Sequence, residues 1–117
     1  MDTRLQEALD FSNYRLTLST QLENLKTKLQ NDLLVTYQNA VFIASKENIL
    51  FCNHLIQEDV KQFPFEDING RPVMIDDIEK FESLLDTIHK RAITEYYNEY
   101  TTISKARNIK KVVGYND

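Results

Sequence analysis

Glycine and proline are nearly missing from this chain, with two of each in 117 residues. That scarcity argues against long irregular loops. It also excludes the glycine-rich phosphate cradles and nucleotide-binding fingerprints, which need several glycines at fixed spacing. Cysteine occurs once, at Cys52, so no internal disulfide can form, which fits a reducing compartment. One cysteine with two scattered histidines, His54 and His89, cannot supply the three or four ligands of a usual zinc site. No run approaches the roughly 18 apolar residues of a membrane span. The opening MDTRLQEALD lacks the basic and apolar regions of a signal peptide, so a cytoplasmic protein without a membrane partner is expected.

What is present argues for a folded chain. Hydrophobic residues make up 42% and charged residues 27%, with six Tyr and six Phe, enough for one modest core and a single domain over 1–117. The net charge of −4 is unevenly spread. Glu58 to Asp86 holds nine acidic residues against three basic, a net of −6, whereas Thr87 to Asp117 holds six basic against three acidic, a net of +3. Such asymmetry can steer a partner, although most charge runs are solvated surface.

Two long helical patterns bracket the chain. Leu18, Leu22, Leu25 and Leu29 follow at steps of 4, 3 and 4, and Ile78, Phe81, Leu85, Ile88 and Ala92 at 3, 4, 3 and 4. Each series keeps one apolar seam on one side of a helix, as two helices need in order to zip together. The first helix is expected over about 3–31, capped by Asp2 or Thr3, with a buried stripe of Leu5, Ala8, Phe11, Tyr14, Leu18, Leu22, Leu25 and Leu29. The last is expected over about 77–110, capped by Asp76 or Asp77, its seam continuing through Tyr96, Tyr100 and Ile103 and its end fraying near Lys110 to Gly114.

Between them, about 33–75, lie the strand and turn signals. LLVTYQNAVFIAS reads as a hairpin with strands near 34–37 and 41–44 around Gln38, Asn39 and Ala40. Ser45 then caps a short amphipathic helix through Ile49, Cys52, Leu55 and Ile56, which Pro64 is expected to break. Asn69-Gly70 is the strongest hairpin signal, and Pro72 restricts the strand it joins to an edge. The expected fold is α+β and helix-dominant: two long terminal helices in an antiparallel coiled-coil-like pair with a small β-hairpin and helix insert.

Candidate chemistry is sparse. Cys52 and His54 lie two apart on a helix, so they face apart and cannot act as nucleophile and base, and a buried structural cysteine is the simpler reading. His89 has no second histidine one turn away and reads as a flank residue. Setting Gly70 at the invariant glycine of a calcium loop puts Phe65 at the first ligand position, so that match fails. Asp76 and Asp77 are better explained as a helix start than as an acid/base pair. No catalytic, cofactor-binding or metal-ligating residue is assigned, and an enzyme is not expected.

The tail SKARNIKKVVGYND carries Lys105, Arg107, Lys110 and Lys111 just after the tyrosines of EYYNEY. Cations beside aromatics can bind nucleic acid by phosphate contact and stacking. The same lysines also suit a helix C-terminus, and the tyrosines continue a packing seam. The candidate partner-binding residues are therefore Lys105, Arg107, Lys110 and Lys111 with Tyr96, Tyr97 and Tyr100. Leu9, Leu16, Leu33, Leu84 and Tyr97 fall off the main seams and widen the apolar surface, so a homo-oligomer is expected.

Three segments, LQEALDFSNYRLTL, VMIDDIEKF and EYYNEYTTISKARNIKK, together resemble small proteins encoded by T4-like myoviruses of cyanobacteria. The resemblance spans most of the chain, includes no catalytic or binding motif, and implies a phage context. The expected function is a non-catalytic phage assembly, adaptor or accessory protein working through helical contacts, in the host cytoplasm or with the virion. The alternative is a small regulator that binds nucleic acid or the transcription or replication machinery through its basic tail.

Overall fold

The computed structural model describes residues 3–114, with side chains described over 3–105. In chain order the elements are α1 (Thr3–Asp32), β1 (Leu34–Tyr37), β2 (Ala40–Ile43), α2 (Lys46–Gln57), β3 (Phe63–Glu66), β4 (Pro72–Ile75) and α3 (Ile78–Gly114). The class is helix-dominant α+β, with long helices at the two ends and two antiparallel hairpins around a short helix. Two compact units divide the chain: a helical unit of Met1–Lys28 with Glu95–Asp117, and a hairpin unit of Leu29–Thr94.

The hairpin unit is built from precise local chemistry. In the first hairpin Leu34 pairs with Ile43 and Tyr37 with Ala40, leaving Gln38 and Asn39 as a two-residue turn with φ of 51° and 62°. Positive φ at both central residues is what a type I′ turn demands, and it matches the twist of the strands it joins. The second strand accordingly starts at Ala40, one residue earlier than the pattern of apolar residues suggests. Ser45 caps α2 by accepting the Asn48 amide. At the other end Asp59 takes a left-handed φ of 61°, while Val60 N donates to Leu55 O and Asp59 N to Ile56 O. That is a Schellman ending, so α2 stops seven residues before Pro64, which instead sits in the edge strand β3.

Asn69-Gly70 does make a hairpin, but as part of a longer loop. Gly70 N donates to Asp67 O, closing a turn over Ile68 and Asn69, and Gly70 then takes a φ of 76°. This is a three-residue loop with a bulge at glycine, the second common way to join two strands. Ile68 N donates to Val41 O, which ties the loop of the second hairpin to the first.

The core of this unit centres on Phe81 of α3. Its fully buried ring lies 5.1 Å from Tyr37 of β1, 5.1 Å from Phe42 of β2 and 5.2 Å from Phe65 of β3. One side chain therefore packs both hairpins against α3. Ile75, Ile78 and Leu85 are also fully or almost fully buried, as is Cys52 from α2. The α3 seam over Ile78, Phe81, Leu85 and Ala92 is buried as its spacing predicts, with Ile88 half-buried.

The helical unit is different. Among the described residues of that unit, Leu25 alone is buried. Tyr14, Leu18 and Leu22 of the expected α1 stripe are half-buried, whereas Leu5, Ala8 and Phe11 are exposed. In a two-helix arrangement each rod has one neighbour, so even an inward-facing side chain keeps an open flank. On α3, Tyr96 and Ile103 are half-buried but Tyr100 is exposed, because the 3–4 row through Ala92 and Tyr96 passes through Glu99. The two helices meet where Lys28 Nζ lies 2.7 Å from Glu99 and 3.5 Å from Glu95. Asp2, one of the two cap candidates for α1, lies outside the described residues.

Candidate interaction surfaces

The residues that first suggest chemistry are engaged in holding the fold. Cys52 is buried, and desolvation, aided by the charge of Glu82, pushes its thiol from the ordinary 9.0 up to about 12. A thiol that keeps its proton at neutral pH is a poor nucleophile. His54 is exposed, pairs with Glu58 one turn along α2 and stacks on Phe51, so it does not meet Cys52. His89 is half-buried, and its Nδ1–H donates to the Ala44 carbonyl at 2.7 Å, pinning α3 to the end of β2.

The acidic residues divide in the same way. Asp77 is the cap of α3, its carboxylate accepting the Lys80 amide at 3.1 Å. Asp76 accepts from the Tyr37 hydroxyl at 2.8 Å, and burial together with that carboxylate pushes the phenol up to about 12. Both aspartates border a cavity of about 230 Å³ with Val60, Lys61, Ile78 and Glu79, in which Lys61 is itself paired with Asp59. Among the described residues no group of three or more His, Cys, Asp or Glu side chains is placed to hold a metal ion. No helix among them is long and apolar enough to cross a membrane.

Two residues prove structurally important that the pattern of the sequence did not single out. Gln38, at the tip of the first hairpin, donates from Nε2 to Met74 O at 2.9 Å and accepts the Asp76 amide on Oε1 at 3.0 Å. Its side-chain amide thus imitates a third strand beside β4. Asp67 has a side chain only 1% exposed and accepts the amides of Asn69 and Arg71 at 2.9 Å, with Arg71 Nε at 3.2 Å. Those bonds, the Arg71 amide first, hold its carboxyl below the ordinary range. An aspartate at the start of a turn accepting the backbone amide two residues on is an Asx turn, and Asp67 just before the Asn69-Gly70 turn signal occupies that position.

The candidate partner-binding tyrosines lie on α3 in the helical unit. Tyr96 is half-buried and stacks with Tyr100 at 6.2 Å, while Tyr97 is 66% exposed. Lys105 is exposed on the same helix. Arg107, Lys110 and Lys111 lie outside the residues whose side chains are described.

The large apolar side chains that remain open fall into two sets. On the hairpin unit, Leu34 and Ile43 form an exposed cross-strand pair, and Phe51 and Phe63 meet edge to face at 5.5 Å on the surface. On the helical unit, Leu5, Leu9 and Leu16 of α1 are 53%, 46% and 68% exposed. At 100° per residue these three fall on the side of α1 opposite Leu18, Leu22 and Leu25, so the helix has two apolar faces. Comparison of the chain with protein-family models, with curated proteins and with solved structures finds no match.

Proposed function

We propose that this chain is a non-catalytic assembly, adaptor or accessory protein that acts by presenting helical surfaces. The observation that carries this reading is the contrast within α1, where leucines wide open to solvent recur at helical spacing on a face that α1 does not need for its other seam. Exposed apolar surface of that kind marks a site of association. The groups that could carry chemistry support the same reading. Cys52 is a protonated buried thiol, His89 is bound to a backbone carbonyl, and Asp76 and Asp77 serve as a tyrosine anchor and a helix cap. The resemblance to proteins of T4-like cyanobacterial myoviruses supports a phage context, with the protein acting in the host cytoplasm or joining the virion.

Affinity purification of the full chain from infected host cells, with partners identified by mass spectrometry, tests this. The chain should recover defined protein partners or phage structural proteins, and a Leu9→Asp/Leu16→Asp variant should lose them. A Cys52→Ala/His54→Ala variant should keep them. Tight, salt-sensitive binding of DNA or RNA that disappears when Lys105, Arg107, Lys110 and Lys111 are neutralised would overturn the adaptor reading in favour of a nucleic-acid regulator.

A further inference from the structure

We propose that Asn69 is a site of spontaneous deamidation, and that Asp67 controls it by holding the Gly70 nitrogen away from the Asn69 side chain until the loop between β3 and β4 opens. This goes beyond the association reading and does not depend on it. Of the ten asparagines in the chain, Asn69 alone precedes a glycine. Both residues are exposed, and apart from the chain neighbours nothing lies within 4 Å of where a Gly70 Cβ would sit. No side chain therefore hinders attack by the Gly70 nitrogen.

In the reaction the Gly70 amide gives up its proton to a base in solvent, and its nitrogen attacks Asn69 Cγ. A bond forms between them, the Cγ–Nδ2 bond breaks, and the departing nitrogen takes up protons and leaves as ammonia. Water then opens the five-membered imide at either carbonyl, leaving aspartate or isoaspartate. In sum, asparagine and water become an acidic residue and ammonia, with no oxidant, reductant or cofactor.

The folded loop opposes the first step in two ways. The Gly70 N–H donates to Asp67 O at 3.0 Å, and the amides on either side, of Asn69 and Arg71, both donate to Asp67 Oδ1 at 2.9 Å. Three successive amides are turned towards one residue. To reach Cγ, the Gly70 nitrogen must rotate about the Asn69 Cα–C bond, which breaks its own hydrogen bond and swings the Arg71 amide off the carboxylate. The second obstacle is charge. Those same donors keep the Asp67 carboxyl ionised, and its side chain is only 1% exposed, so water screens it little. An anion on the neighbouring Gly70 nitrogen is disfavoured beside it, an effect that the largely exposed Arg71 side chain, with Nε 3.2 Å from Oδ2, offsets in part. Because Ile68 N also donates to Val41 O of β2, the loop is anchored to the first hairpin, and reaction is confined to its local openings.

Peptide mass spectrometry of the full chain, incubated at mildly alkaline pH with and without guanidinium chloride, tests the proposal. In denaturant Asn69 should gain one mass unit before any other asparagine. Folded, it should react at least roughly tenfold more slowly, since opening must first break hydrogen bonds. Asp67→Asn keeps an acceptor oxygen and removes the charge, whereas Asp67→Ala removes both, and the two should speed the folded reaction in that order. Circular dichroism establishes that each variant is folded. Native-state hydrogen exchange of the wild type needs no variant: the Gly70 amide should be protected by about the factor by which folding slows deamidation. If neither variant folds, that exchange and the wild-type rate ratio decide the matter. A folded wild type that deamidates as fast as the denatured chain, a freely exchanging Gly70 amide, or folded Asp67 variants that react at the wild-type rate would overturn the proposal.

Discussion

The hairpin unit and the helical unit dispose of their apolar side chains in opposite ways. In Leu29–Thr94, two hairpins of four-residue strands, a capped helix and the first turns of α3 close around Phe81, and hydrogen bonds made by Gln38 and His89 tie the pieces together. In the helical unit Leu25 is the one buried residue among those described, and large leucines stay open. Short elements with many cross-links can complete a core within one chain, whereas long helices offer more apolar perimeter than a single neighbour covers. The same chain thus contains a region whose core is closed and a region whose apolar side chains stay largely open.

The contrast breaks most visibly at Phe81. Phe81→Ala should cost about 3–5 kcal/mol, because it removes a fully buried ring that three others contact. Leu25→Ala should cost nearer 2 kcal/mol, since its surroundings are half-open and can relax. Urea denaturation of both variants measures the difference. Equal losses would mean that the helical unit is as tightly packed as the hairpin unit.

Alkaline pH should also single out the hairpin unit. Cys52 and Tyr37, both within it, are pushed up to about 12 from ordinary values of 9.0 and 10.0. As pH rises above those ordinary values, the unfolded chain releases protons that the folded one keeps, so stability falls between about pH 9 and pH 12. Cys52→Ala/Tyr37→Phe should flatten that decline in thermal melts. An unchanged alkaline slope would contradict the burial assigned to these groups.

A smaller effect is expected from Gln38→Ala, which removes two hydrogen bonds between the first hairpin and β4 and should cost about 1–2 kcal/mol. Lys28→Ala should do least. The ion pairs it makes with Glu95 and Glu99 are about half exposed, so its effect on melting should be slight and should vanish in high salt. A large, salt-independent loss would show that the helical unit depends on that contact rather than on apolar association.

Much of the architecture was legible in the residues. Ser45 and Asp77 are caps, Asn69-Gly70 marks a hairpin, and the 3–4 steps from Ile78 to Ala92 become the buried seam of α3. On α1 the apolar residues fall on two faces, and spacing does not say which of them a neighbour covers, since burial is a property of neighbours. Phe11, in line with Leu18 and Leu22, and Ala8 at the edge of that row are therefore exposed, whereas Leu5 is exposed on the opposite face, off the stripe in which its spacing seemed to put it. Gln38 escaped notice because its role depends on β4, which approaches from 36 residues along the chain. For function, the tyrosines and Lys105 are placed on α3, but spacing alone carries no information about the molecule they would meet.

Hydrogen exchange of the full chain at two concentrations tests most directly whether one unit is finished and the other awaits a partner. Amides of β1, β2 and α2 should exchange slowly and at rates independent of concentration, while those of α1 between residues 5 and 20 should exchange fast when dilute and gain protection as concentration rises. Protection of that stretch equal to the hairpin unit at the lowest concentration would contradict the account.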